Sequence, residues 1–211
     1  MMKLKEAHIQ LTRRDMAILD FINDFGFCEM RHLERRFGMK KPIGYRLMHR
    51  LIKAGLVMHE RIYHFEAGIY LLTPEGAKCT DLPSVSHFAI GRFAHQKALI
   101  DTYLTLRERY PDMDWLSERQ LKHEKFYDGI GKHGHLADGV LIFSDGRKIA
   151  IEVELNLKGK ERLKKIFKQY AAQFGFNEVW YFCPKEMVEK LKVLAKNMPF
   201  IKIYHFEEGL A

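Results

Sequence analysis

Cysteine is scarce in this 211-residue chain: three residues, at 28, 79 and 183, scattered and never in a Cys-x-x-Cys pair. That spacing argues against a zinc knuckle and against a disulfide framework. No apolar run approaches the roughly 18 residues needed to span a bilayer. Residues Met1 to Gln10 are charged and lack the apolar stretch of a secretory signal. Low-complexity tracts and internal repeats are also absent, and the expected setting is the cytoplasm. Acidic residues are outnumbered 27 to 35 by lysine and arginine, a formal charge of +8. A basic balance points to an anionic partner, nucleic acid or an acidic membrane surface. With 47% apolar residues, the chain is long enough for one sizeable domain or two small ones.

Residues 11–75 carry three helices followed by a β-wing. Thr12 is placed to cap the first helix, and Asp15 three residues on suits its N-terminal dipole. The apolar face is Met16, Ile18, Leu19, Ile22 and Phe25, and Gly26 is a stop signal. A second helix is expected over Glu29–Phe37, closed by Gly38, and a third over Pro42–Ala54, with Gly55 at its end. Along the third, the spacing predicts that Ile43, Leu47 and Leu51 face a core, with Arg46, His49, Arg50 and Lys53 round the other side. Two strands, Leu56–His64 and Ile69–Thr73, flank a Glu66-Ala67-Gly68 turn and bring Arg61, Tyr63 and His64 onto a wing. This is the layout of a winged helix-turn-helix, whose third helix would enter a major groove. DNA contact is therefore expected at Arg46, His49, Arg50, Lys53 and Arg61.

Thr73-Pro74-Glu75-Gly76 opens a short helix, and Asp81–Ser86 with Pro83 marks a boundary. The expected domains are 1–82, the winged helix, and 83–211, a mixed α/β layer. The second begins with a long helix over Phe88–Arg109. A strand over Met113–Arg119 and an irregular Gly- and His-rich segment at 123–136 follow. After a β-hairpin come a helix at 159–174, a strand over Glu178–Phe182, a helix at 185–197 and a last strand, Ile201–Phe206.

The hairpin, His135 to Leu155, holds the chemistry. On its second strand Ile149, Ile151, Val153 and Leu155 face one way, and Lys148, Ala150, Glu152 and Glu154 the other. Two carboxylates two residues apart on one face sit about 7 Å apart at their α-carbons, close enough to converge on one hard cation. Asp138 joins them only in one register. A two-residue Asp145-Gly146 loop puts it across from Val153. A three-residue Ser144-Asp145-Gly146 loop, with Gly146 left-handed, pairs Phe143 with Arg147 and sets Asp138 opposite Glu152. The second register is the one expected. Lys158 could reach the same site, with Lys160 and Lys164 as alternatives. One or two magnesium ions there would polarise a phosphodiester. The bland alternative is that the glutamates line the solvent face of an edge strand. Ile-Ala-Ile-Glu-Val-Glu-Leu, however, is composed like a central strand, where unpaired acids are costly.

Asp138 with Glu152-x-Glu154, in a helix–β–β–β–helix–β frame, resembles the PD-(D/E)xK restriction-endonuclease-like superfamily. Ala137 replaces the motif's proline, and Glu154 stands where the lysine usually is, so that Lys158 would be a displaced substitute. Over about residues 11–182 the chain is also similar to the plasmid replication-relaxation family. The matching segments are Leu11-Thr12-Arg13-Arg14-Asp15, Leu51-Ile52-Lys53-Ala54-Gly55-Leu56, Leu72-Thr73-Pro74-Glu75-Gly76-Ala77, Trp115-Leu116-Ser117-Glu118-Arg119, Ala137-Asp138-Gly139-Val140 and Glu152-Val153-Glu154-Leu155, with Tyr170 beyond. Some members are relaxases of mobilisable plasmids that nick one strand at a transfer origin. The resemblance implies a restriction-endonuclease-like second domain. In it Asp138, Glu152 and Glu154 bind Mg²⁺ or Mn²⁺, Lys158 assists, and plasmid-origin DNA, with other nicking-complex or coupling proteins, is the partner.

Other residues offer competing chemistry. His133-Gly134-His135 invites comparison with the two-histidine metal site of tyrosine relaxases, but Gly134 is not the bulky apolar residue that site expects. His135 can still border the acids. Tyr127 and Tyr170 are possible nucleophiles, although Tyr170 shares an apolar helix face with Leu163, Ile166, Phe167 and Phe174 and suits core packing. Glu118 is a weak fourth carboxylate. The alternative function is non-catalytic: a winged-helix regulator or accessory factor on an inactive nuclease fold.

Overall fold

Thr12 and Asp15 close a reciprocal capping box at the first helix, α1 (Arg13–Phe25). The Thr12 hydroxyl accepts from the Asp15 amide at 3.2 Å, and Asp15 accepts from the Thr12 amide at 2.8 Å. The computed structural model describes residues 10–85, 89–127, 135–172 and 175–206, without the side chains of 125–127. They fall into two compact units, Met1–Gly91 and Arg92–Ala211, a division later than the expected 82/83 boundary.

In the first unit α1 is followed by β1 (Cys28–Glu29), α2 (Met30–Phe37), α3 (Lys41–Lys53), β2 (Val57–Glu60), β3 (Ile69–Leu72) and α4 (Pro74–Ala77). The antiparallel sheet has the order β1-β3-β2, with Val57 opposite Leu72 and Glu60 opposite Ile69. β1 is too short to show in a hydrophobic pattern. β2 ends at Glu60, short of His64, so Arg61–Gly68 lie outside both strands. The expected core face of α3 needs correction at Ile43, which is 45% exposed. The buried line is Gly44, Leu47, Met48 and Leu51. A Cβ at Gly44 would come 3.1 Å from the Met30 sulfur, so the bare glycine lets α3 approach α2 and turns Ile43 outward.

The second unit contains α5 (Phe93–Arg109), β4 (Asp114–Ser117), α6 (Glu118–Tyr127), β5 (Gly139–Ile142), β6 (Lys148–Val153), α7 (Lys160–Ala171), β7 (Glu178–Cys183), α8 (Lys185–Ala195) and β8 (Ile201–His205). The sheet runs β4-β5-β6-β7-β8, antiparallel through β6 and parallel beyond it. α7 and α8 pack Leu163, Phe167 and Leu191 against Val140, Ala150 and Tyr181. α5 packs on β6. α6 corrects the reading of 123–136 as irregular from its start. Its signal was present, since Ser117 and Gln120 form another reciprocal cap at 2.7 and 3.1 Å. His133, Gly134 and Phe174 lie outside the described residues.

The β5–β6 loop is the three-residue one. The Phe143 amide donates to Arg147 O and the Gly146 amide to Phe143 O, both at 2.9 Å, with Gly146 at φ +85°. Replacing Gly146 with alanine forces a side chain into left-handed backbone and should lower stability by about 1–2 kcal/mol, read by urea unfolding. An unchanged midpoint would mean the loop relaxes to another turn. Among the described residues no helix is long and apolar enough to cross a membrane, and the three cysteines are unpaired.

Candidate functional site

β6 is the middle strand of five; Glu152 on it is 1% exposed, and Glu154, the residue just past its end, is 4% exposed. The edge-strand reading therefore fails. Strand alternation puts Ala150, Glu152 and Glu154 on the face covered by α7 and α8, as Ala150's place in that core shows. Each acid has its own partners.

Glu152 Oε1 accepts from the Tyr170 hydroxyl and bonds His135 Nε2 at 2.7 Å. Burial pushes its carboxyl above the ordinary glutamate range, and nearby Asp138 adds to the shift against the pull of His135 and Tyr170. Tyr170 thus packs in the core, as expected, and also holds the acid. Burial and the Glu152 charge keep its phenol protonated, which suits a donor and not a nucleophile. The side chain of Tyr127 lies outside the described residues.

Asp138 is fixed at the end of β5 in a way that the ideal hairpin does not give. Gly139 pairs with Ile151, and the Asp138 amide also donates to Ile151 O at 3.0 Å, so two residues face one, as in a bulge. The bulge re-aims the carboxylate. Asp138 Oδ2 accepts from the Val153 amide at 2.8 Å and from His95 Nε2, on α5, at 3.2 Å. Glu152 is thus tied to α7 and Asp138 to α5. His95 Nε2 also meets Val153 O at 3.0 Å, and facing two acceptors it must carry the proton. Burial works against the Asp138 charge. His95, the Val153 amide and Lys158 outweigh it and hold the carboxyl below its usual value, while Asp138 holds His95 above its own against burial.

The pH dependence follows from these directions. The raised His95 contributes fully below its unfolded pKa and less as pH rises through the folded value. The lowered Asp138 contributes above its unfolded pKa and less as pH falls through the folded value. The stability advantage of the wild type over His95→Gln should therefore be largest at about pH 5–6 and shrink by about pH 8. Urea unfolding across that range checks it, and a flat difference would remove the charged pair.

Glu154 continues the pairing of β6 with β7 through its amide, 2.9 Å from Phe182 O, and its carboxylate takes the Lys158 ammonium. Of the three lysine alternatives, Lys158 is the one that meets an acid of the cluster. Lys164 pairs with Glu161, and Lys160 is exposed. Glu118 opens α6, bonded to Arg92 and Lys122.

His95 and Tyr181 were missed in the sequence. His95 stands four and eight residues before the buried Leu99 and Tyr103, a polar side chain in an apolar stripe. Tyr181 is fully buried on the face of the glutamates, and its hydroxyl has no hydrogen-bond partner among the described residues. Its register partner on β6 is Glu152, and burial, then the charges of Glu152, Glu154 and Asp138, raise its pKa.

Hard carboxylate oxygens are what Mg²⁺ or Mn²⁺ takes, and the Tyr181 hydroxyl, in register with Glu152, has no hydrogen-bond partner among the described residues. The donor set fits such a cation in its chemistry. It is not a ready-made cage: among the described residues no three His, Cys, Asp or Glu side chains converge as a metal-binding group.

In the first unit Arg46, His49, Arg50, Lys53 and Arg61 are all exposed. Arg46 donates to Pro42 O at 3.2 Å, within its own helix. Arg50 is committed elsewhere, to buried Asp15. Tyr45 (52% exposed) on α3 and Phe65 (97%) between β2 and β3 share this outward position. The chain matches no family model, no curated protein and no solved structure.

Proposed function

We propose that this chain is a metal-dependent, site-specific DNA-nicking endonuclease of the plasmid-mobilisation relaxase kind, acting in the cytoplasm at a transfer or replication origin. One observation carries the reading. Glu152 on a central strand and Glu154 just past its end are both buried, with Asp138 and Lys158 at the same strand end. Burying acids is costly, and a fold without use for them would replace them.

Mg²⁺ or Mn²⁺, held by Asp138, Glu152 and Glu154, would supply polarisation of the phosphodiester and a water of lowered pKa. The protein's own groups do the positioning. His95 and the Val153 amide orient Asp138, and Tyr170 and His135 orient Glu152. Lys158, on its flexible stem beside Glu154, is the cation for a phosphate oxygen.

Site choice falls to the first unit, read as a winged helix-turn-helix. Supporting that reading are the order α1–β1–α2–α3–β2–β3 and the exposed stripe of Arg46, His49 and Lys53 on α3. Arg61 and Phe65 extend it toward the wing. Coupling or nicking-complex proteins are the further partners.

The separate pairing of each acid favours a second reading, in which the fold is a non-catalytic DNA-binding regulator. Incubating supercoiled cognate plasmid with the purified chain and Mg²⁺ or Mn²⁺ separates the two. Open circles support the nickase, and DNA bound but never cut supports the regulator.

A further inference from the structure

On the face of the second sheet opposite the glutamates, β7 and β8 carry a group of rings that the cluster of acids does not use. Trp180, Phe182 and Tyr204 meet there with Tyr110 from the end of α5. Phe182 stacks on Tyr204 at 5.5 Å, and Trp180 lies 5.7 Å from Tyr204 and 6.2 Å from Tyr110. Together with Arg109 they line a pocket of about 80 Å³. Phe182 is its buried floor, while Trp180, Tyr204 and Tyr110 are partly exposed and Arg109 is exposed. The register sets Lys202 beside Trp180 on the same face. The indole is fixed, since its N–H donates to Glu178 at 2.6 Å. Fourteen residues of α5, about 21 Å, separate Arg109 from His95, so the rings lie apart from the acids.

The rings stand beside two cations, Arg109 and Lys202, and one acid, Glu178, which the Trp180 N–H already occupies; the remaining balance is cationic and selects a flat ligand joined to negative charge. Arg109 and Lys202 repel the cationic ligands that aromatic cages otherwise take. A duplex offers only base edges in its grooves, whereas an unpaired base offers a π-face. We propose that this pocket binds an unpaired base of single-stranded nucleic acid, stacked on the Trp180 ring with its edge against Tyr204, which stands at 73° to the indole, and with Arg109 and Lys202 on the flanking phosphates. The choice of nucleic acid rests on the DNA reading above and extends it to a strand separated from its complement.

The test uses the full chain and a fluorescein-labelled oligothymidylate of about 15 nucleotides, within the site sizes of such surfaces. Expected are binding by anisotropy and quenching of tryptophan fluorescence that is lost in Trp180→Phe. The double variant Arg109→Glu/Lys202→Glu should bind at least about tenfold more weakly. Arg46→Ala/Lys53→Ala should weaken duplex binding while the quenching of Trp180 by bound oligothymidylate persists. Unfolding midpoints equal to wild type show that each variant folds, and Trp180→Phe carries the test if the double variant does not. The proposal is overturned if quenching is absent, if it persists in Trp180→Phe, or if poly-glutamate produces it equally. Oligothymidylate binding without plasmid nicking would overturn the nuclease reading alone, and nicking without quenching would overturn this one alone.

Discussion

Glu152→Gln should reduce plasmid nicking by at least about a hundredfold while leaving the fold and DNA affinity intact. The glutamine keeps the shape of the side chain, and its carbonyl oxygen can still accept from Tyr170 and His135. What disappears is the charge. That charge is unfavourable to the fold, because burial raises the Glu152 pKa. Between the unfolded and folded values the native state binds more protons than the unfolded one, so stability falls as pH rises through that window. Above the window the penalty is complete, and Glu152→Gln should melt no lower than wild type there. Thermal unfolding on both sides of the window checks the sign. A variant that melts lower at neutral pH and cuts normally would make Glu152 a structural residue.

Arg50→Ala is expected to act first on stability. From the sequence, Arg50 was a DNA-reading residue on the outer face of α3. In the structure it closes an ion pair with Asp15, which is fully buried and also holds the Thr12 cap. Removing the guanidinium strands a buried carboxylate that keeps only its Thr12 donors. A loss of about 1–3 kcal/mol in urea unfolding follows. Burial raises the Asp15 pKa, but Arg50 and Thr12 outweigh it and leave the net value lowered. The contribution is therefore present above the unfolded aspartate pKa and lost as pH falls through the folded value, where the variant and wild type should converge. Adding Asp15→Asn to Arg50→Ala should restore part of the loss, and strict additivity would deny the pair. DNA contact is better read from Arg46→Ala and Lys53→Ala, each expected to lower the salt dependence of binding by about one phosphate contact.

Local signals in the sequence carried much of this. Gly146 and the residues around it set the hairpin loop. The near-continuous apolar run about Glu152 and Glu154 marked a central strand, and Thr12 with Asp15 marked a helix start. What was not legible depended on contacts distant in the chain. The Arg50–Asp15 pair joins residues of two helices, and the His95–Asp138 bond joins α5 to β5. Neither has a periodicity. Ile43 shows the limit of a helical wheel: three apolar residues at i, i+4 and i+8 describe a stripe, but Gly44 against Met30 decides which stripe is buried. Asp138 shows the limit of strand alternation, because its amide donates to the carbonyl of Ile151, the residue already opposite Gly139, and its carboxylate turns to the Val153 amide and His95. α6 was missed for a different reason: its Ser117–Gln120 cap falls at the end of the expected strand Met113–Arg119, and its later residues fall in the 123–136 segment, whose Gly and His content reads as irregular.

The most direct test of the acids as a cutting site is a paired assay on one set of samples. Wild type and Glu152→Gln are incubated with supercoiled cognate plasmid and Mg²⁺, and binding and the conversion to open circles are followed together. Expected is equal binding by both proteins, with open circles formed by the wild type alone. Cutting by both, or by neither while both bind, would contradict the claim that these buried carboxylates nick DNA.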